Sequence, residues 1–459
     1  MFRLDRIDKA YREAGSFNEQ VNLFGFIDDQ VFLTKSGDVG VVLAIEGVDY
    51  ECLDSATLDN LTKRLESALK IFDEKCRVYQ YLFKRNRAEI PSQTYGDPVV
   101  DAAIRSRIDY LRSKADEIYS LKIYYVILFE SFRYRQRLLS TLGKLTSEPA
   151  QALRQFAAFS STKRQVVLID AEIEKARVAL LTKVRSFAVQ VSDFTKVEIL
   201  PKQVAFKVLK SILNFSPEKT NGARLNGDAF LDCGLCESHL ECHRGFLRVD
   251  DYFVKVMTLK EPSAQSFPLI FQRLLEVPAN FFVVTEWKKQ APDKTRSQIH
   301  SRRRHYHNTK RSFMSHLSMS NQPENPHDVL VDDSKEAQVR DLGRALEEIE
   351  LKGNYFGEFS LAIVVYDLDL AKAEASCADF YKVFSMHDGT VYEESYNLLN
   401  AYLATVPGNY AFNLRRMLIL NTNYADYSFL FTLHSGHQTI SHLKSEYLAI
   451  LETNHKTPY

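Results

Sequence analysis

Apolar positions along the first 130 residues change period several times. Residues 31–46, "VFLTKSGDVGVVLAIE", place two apolar, β-branched runs on either side of "KSGD", a turn cluster containing Gly37; this is the pattern of a hairpin. In "LDSATLDNLTKRLESALKIF" the period lengthens. Leu58, Leu61, Leu65, Leu69 and Phe72 recur at helical spacing, and Ser55 stands where an N-cap belongs. "RVYQYLFK" returns to a strand. A second helix opens at Asp97, with Ile104, Ile108 and Leu111 on one face, and "LKIYYVILF" is a continuous apolar run suited to a strand buried on both faces. The order is ββαβαβ.

The same order recurs further on. "FLRVDDYFVKVMTL" reads as a hairpin turning at Asp250 and Asp251. "SAQSFPLIFQRLLE" reads as a helix with Ser266 as cap, Pro268 in the first turn, and Phe267, Ile270, Phe271 and Leu274 inward. "ANFFVVTEW" is a strand; after a long helical stretch come the strand "FSLAIVVYDLD", the helix "LAKAEASCADFYKVF" and the short strand "TVYEES". The pattern predicts an α+β protein of two related ββαβαβ-like units, each with a mostly antiparallel sheet covered by helices. Between them, residues 133–215 are rich in helix formers, which predicts a long helical insertion. The expected division is a first unit at 1–132, the insertion at 133–225, a second unit at 226–397 with a mobile loop near 319–334, and a junction at 398–459.

Composition narrows the class without naming a function. Lys plus Arg and Asp plus Glu are equal at 59 each, so no global field selects nucleic acid or an anionic membrane. The opening "MFRLDRIDKAYREAG" lacks the apolar core of a secretory signal, and runs such as "IYYVILF" fall well short of the roughly 20 residues of a spanning helix. Six cysteines in 459 residues do not suggest a disulfide framework. A reducing cytosol is the expected compartment.

Two stretches carry candidate chemistry. "CGLCESHLECH" supplies Cys233, Cys236, Cys242 and His243, with His239 between them; a Cys-x2-Cys pair followed by Cys-His offers the donors of a tetrahedral zinc shell. The other reading is a connector whose thiols pack as small apolar groups. The basic run 294–311 holds Arg302, Arg303, Arg304, Lys310 and Arg311, a candidate grip on phosphates, lipid headgroups or a protein partner. Its alternative is a solvated helix, since successive arginines point around the whole cylinder. The sequence contains no Gly-x4-Gly-Lys-[Ser/Thr] loop and no Gly-x-Gly-x-x-Gly, His-Glu-x-x-His or Gly-x-Ser-x-Gly motif. No catalytic residue is therefore assigned, and the independent alternative is a zinc-stabilised module that binds nucleic acid.

Residues 398–459 add a resemblance. "ATVPGNYAFNLRR", then "NTNYADYSFLF", then "ETNHKTPY" resemble the end of the N-terminal region of the type IV secretion ATPases, the CagE/TrbE/VirB family of conjugal transfer and effector export. The family's Pro-Gly-Asn turn matches Pro407, Gly408 and Asn409. Its later Asn, apolar run and Thr-Pro-aromatic segment match Asn423, Phe429 to Phe431, and Thr457, Pro458 and Tyr459. "FLRVDDYFVKVMTLKEP" and "FFVVTEWKK" resemble the family's middle section. The resemblance implies a docking and assembly region without its RecA-like motor domain, in a parent that binds ATP and Mg²⁺, hydrolyses ATP and assembles as a hexamer. It further implies inner-membrane and channel components as partners and a cytoplasmic location peripheral to the bacterial inner membrane. DNA is an open partner.

The turn itself gives one mechanical expectation. In Val-Pro-Gly-Asn the glycine takes the third place of a type II turn, which requires positive φ. The turn is expected to redirect the chain out of the second unit, so that a valine at position 408 would leave the first unit folded.

Overall fold

The computed structural model describes residues 17–130, 162–297 and 353–459, apart from 89, 91–93, 228, 264, 434–435, 437–438, 441–444 and 447–448. Strands β1 (Leu23–Phe26), β2 (Val31–Thr34), β3 (Val39–Ile45) and β4 (Val48–Asp49) are followed by α1 (Ser55–Leu69), β5 (Cys76–Asn86), α2 (Pro98–Ser113) and β6 (Tyr119–Phe129). Gly37 turns β2 into β3 at a φ of 87°. Asp54, not Ser55, caps α1: its carboxylate accepts from the Thr57 N–H at 2.9 Å, and a carboxylate there also meets the positive end of the helix dipole. Asp97 caps α2, accepting from Val99 N–H at 2.8 Å and Val100 N–H at 3.2 Å, with Pro98 at the first helical position.

The insertion is not helical throughout. After α3 (Thr162–Val191), the stretch "KVEILP" leaves the helix and forms β7 (Val197–Ile199), which pairs with β3. Val197 and Ile199 are β-branched, and Pro201 has no N–H to continue a helix. Helices α4 (Lys202–Leu213), α5 (Pro217–Asn221) and α6 (Leu231–Leu235) complete it.

The second unit runs β8 (Leu240–His243), β9 (Phe246–Val249), β10 (Tyr252–Glu261), β11 (Phe281–Lys289), β12 (Phe356–Asp367), α7 (Leu370–Ser385) and β13 (Thr390–Glu393). The helix expected between β10 and β11 is only a 3-10 turn at Gln272–Leu275. Leu269 sits at a φ of 65° directly after Pro268, so the helical ladder cannot start there. Ile270 and Leu274 are buried as expected, whereas Phe267 is exposed. Then come α8 (Leu398–Leu403), β14 (Met417–Leu420), α9 (Asn421–Asp426) and β15 (Phe431–Thr432), which pairs with β4, and finally the short antiparallel pair β16 (Thr439–Ile440) and β17 (Ser445–Glu446).

The two units do not keep separate sheets. Among the described residues one thirteen-stranded sheet runs β1-β2-β3-β6-β5-β11-β12-β10-β9-β8, with β7, β13 and β14 as added partners. Every pairing in it is antiparallel. The order reads the same from either end: edge strand, hairpin, then two long strands in reversed chain order, β6-β5 from one side and β12-β11 from the other. The repeat thus holds and extends by one edge strand per unit, β1 and β8. The equivalent strands β5 and β11 meet at the seam, with Phe281 to Trp287 opposite Lys84 to Val78.

Alternation along the seam strands sends side chains to two cores. Val78, Leu82, Val283 and Ile363 face one layer, covered by Leu65 and Leu69 of α1, Leu180 and Phe187 of α3, and Phe380 of α7. Tyr79, Tyr81, Phe83, Phe282 and Val284 face the other, under Phe206 and Leu209 of α4, Leu231 of α6, and Leu398 and Tyr402 of α8. A sheet covered on both faces needs near-continuous apolar strands, which is the pattern of β5, β6, β11 and β12. Among the described residues no helix is long and apolar enough to cross a membrane.

Candidate functional site

Residues 404–433 form a strap that touches both faces of the seam. On the second face it covers a buried ionic cluster. Arg77 of β5 donates through Nε to Glu130 at 2.8 Å and through Nη1 to Glu286 of β11. Lys288 donates to the second Glu130 oxygen. All three of Arg77, Glu130 and Glu286 are buried, so the cluster is tolerated only because each charge is paired and hydrogen-bonded. The strap closes it: the Tyr410 ring lies 4.2 Å from the Arg77 guanidinium carbon, Asn413 Nδ2 donates to Glu286 Oε2 at 2.6 Å, and Arg416 sits 3.3 Å from Glu286. Arg415 holds Glu394, 2.6 Å away, which also accepts from Thr258.

Burial alone would raise the Glu130 carboxyl, but Arg77 and Lys288 outweigh it and hold the group below the ordinary 4.5. A depressed folded-state value means the unfolded chain binds the proton more readily. The stability this group contributes is therefore full above about pH 4.5 and is lost as pH falls through the lower folded value. We expect Glu130→Gln to flatten the acid limb of an unfolding titration between pH 5 and 3; an acid limb unchanged by the substitution contradicts the assignment.

The turn of the strap seats on the first unit. The Asn409 N–H donates to Val406 C=O at 3.0 Å and Gly408 has a φ of 89°, the geometry of a type II turn. Asn22 N–H donates to Asn409 Oδ1 and Asn22 Nδ2 to Gly408 C=O, both at 2.9 Å; Asn409 Nδ2 donates to Gln20 C=O at 2.9 Å. Tyr410 hydroxyl donates to Asp38 at 2.8 Å. The expected redirection out of the second unit is thus a docking onto the β1–β3 end of the first.

The strap then changes face. β12 extends beyond β10, and its protruding half pairs with β14; α9 comes next, on the opposite side. There Gln80, fully buried in β5, donates to Tyr424 hydroxyl at 2.7 Å and Ser428 Oγ at 3.0 Å, and accepts from Phe429 N–H at 2.9 Å. Tyr125 hydroxyl donates to Phe429 C=O at 2.8 Å. Tyr424 stacks on Trp287 at 4.4 Å with the rings 4° from parallel. A buried amide in the seam strand is therefore satisfied by the strap alone.

The cysteine stretch does not assemble a metal shell. Among the described residues no group of three His, Cys, Asp or Glu side chains is placed to hold a metal ion. Cys233 and Cys236 belong to α6 and its end, whereas Cys242 and His243 are neighbours on β8, where successive side chains point to opposite faces. Cys236 is half-buried against the second core, and burial pushes its thiol up to about 12. His243 stacks on Phe246 at 4.7 Å and lies 3.3 Å from Glu241. We expect EDTA to leave the melting temperature unchanged; a drop accompanied by one zinc per chain in a metal assay contradicts this placement. Arg302, Arg303, Arg304, Lys310 and Arg311, and the loop at 319–334, lie outside the described residues. Arg77, Gln80, Glu130 and Glu286 escaped sequence reasoning because each reads as one polar position in an apolar strand.

Residues 30–135, from β2 through β6, match the family model "Type IV secretion system ATPase VirB4/TrbE, N-terminal domain". That segment contains Asp38, Arg77, Gln80, Tyr125 and Glu130, much of the seat of the strap, while Gln20 and Asn22 precede it. No curated protein matches the chain.

Proposed function

We propose that this chain, which carries the N-terminal region of the type IV secretion ATPases, serves as the docking and assembly region of such an ATPase in substrate transport or pilus assembly. The observation that carries the reading is the family match over the segment that supplies the seam strand β5 and much of the strap's seat. In this reading the continuous sheet is a stiff platform for inner-membrane and channel components, on the cytoplasmic side and peripheral to the membrane. ATP and Mg²⁺ are bound and ATP is hydrolysed by a RecA-like motor supplied by the parent outside these residues, and the parent self-associates as a hexamer. The lack of a Gly-x4-Gly-Lys-[Ser/Thr] loop in the 459 residues supports this division of labour.

The test uses the full chain. Mixed with the solubilised inner-membrane subunits of its own apparatus, it is expected to co-elute with them and to show no ATP turnover above buffer. Failure to co-elute or crosslink sinks the docking role. Turnover that survives purification and changes with a mutation inside these residues sinks the assignment of hydrolysis to a separate motor.

A further inference from the structure

A cavity of about 20 Å³ lies on the second face beneath the strap, walled by Thr258, Ser360, Asn397, Thr405, Asn413 and Arg415 among others. Asn397 is 4% exposed. Its side-chain oxygen accepts from Asn400 Nδ2 at 3.2 Å, yet its own Nδ2 has no hydrogen-bond partner among the described residues. A buried amide donor is rarely left so in a native protein. Beside it, Ser360 Oγ accepts from Asn413 Nδ2 at 2.6 Å, which leaves the Ser360 proton to be donated. Thr258 and Thr405 have already committed their protons, to Glu394 at 2.6 Å and to Tyr402 C=O at 2.6 Å, so their oxygens remain acceptors.

We propose that this cavity is a binding site for one ordered water molecule that accepts from Asn397 Nδ2 and the Ser360 hydroxyl and donates to the Thr258 or Thr405 oxygen. The volume exceeds the about 10–15 Å³ that one water requires, and the polar partners number the two to four that a buried water uses. The charges in the wall are already paired, Arg415 with Glu394 and Glu286 with Arg77 and Arg416, so a neutral occupant suits the cavity better than a small ion. The water joins α8 to β10, β12 and the strap, so this part of the strap is held by a hydrated contact while its turn is held by direct hydrogen bonds.

The test is a crystal structure of the full chain at a resolution that shows waters, with the Asn397→Leu variant beside it. The expected result is a density peak within about 3.2 Å of Asn397 Nδ2 that disappears in the variant, and a lower melting temperature for the variant, because leucine evicts the water and strands the remaining partners. No peak in the unmodified chain overturns the proposal, as does a peak that stays in place without Asn397. If the variant gives no crystals, a rise in its melting temperature also overturns it, since a dry cavity with an unpaired amide is relieved by leucine.

Discussion

Arg77→Met is expected to destabilise the folded chain by about 3–5 kcal/mol, the usual cost of breaking a buried ion pair from one side. Methionine keeps most of the side-chain length but leaves Glu130 and Glu286 buried with less compensation, from Lys288 on one side and Arg416 with Asn413 on the other. It also removes the cation under the Tyr410 ring, so the strap loses its central contact with β5. The measurement is the midpoint of urea unfolding. The sharper form is a cycle: Arg77→Met combined with Glu286→Leu should cost less than the sum of the two single changes, because the double variant no longer buries that pair. Additive losses, or an unchanged midpoint for Arg77→Met, would show that the cluster is not a coupled unit.

Gly408→Val should cost about 1–3 kcal/mol in backbone strain alone, since a β-branched residue is forced to positive φ. The added Cβ would stand 3.1 Å from Thr34 Cγ2 and 3.4 Å from Asn22 Nδ2, so the seat on the first unit suffers as well. The first unit is still expected to stay folded, but with a local effect: hydrogen-exchange protection should fall in the β1–β2 hairpin, not only in the strap. Gly408→Ala should show the same direction and a smaller effect. A valine variant with the parent's melting temperature and hairpin protection would sink the idea.

Much of the frame is legible locally, and the seam is not. Strands covered on both faces write continuous apolar runs, so β5, β6, β11 and β12 stand out, and Asp97 marks its helix because a carboxylate before Pro-Val-Val has one obvious use. Gly408 is readable because Val-Pro-Gly-Asn leaves its third residue few conformations. β1 and β8 are missed because four-residue strands carry too little pattern, and β8 is further hidden by donor residues that suggest a metal. The ionic cluster joins Arg77 to Glu286 across 209 positions; no local period encodes which strand edge meets which. The strap's contacts are likewise distant, with Gln80 and Phe429 separated by 349 positions.

The mirror order of the sheet has a consequence for how this architecture can be taken apart. An antiparallel seam between equivalent strands is the geometry by which two copies of one strand pair with each other. A half-molecule ending after β6 would expose the edge of β5, whose first nine residues are buried in the intact chain. The cheapest cover for that edge is the same strand of a second half-molecule. Isolated halves should thus pair as homodimers through β5 or aggregate, whereas in the intact chain β11 holds that edge permanently covered.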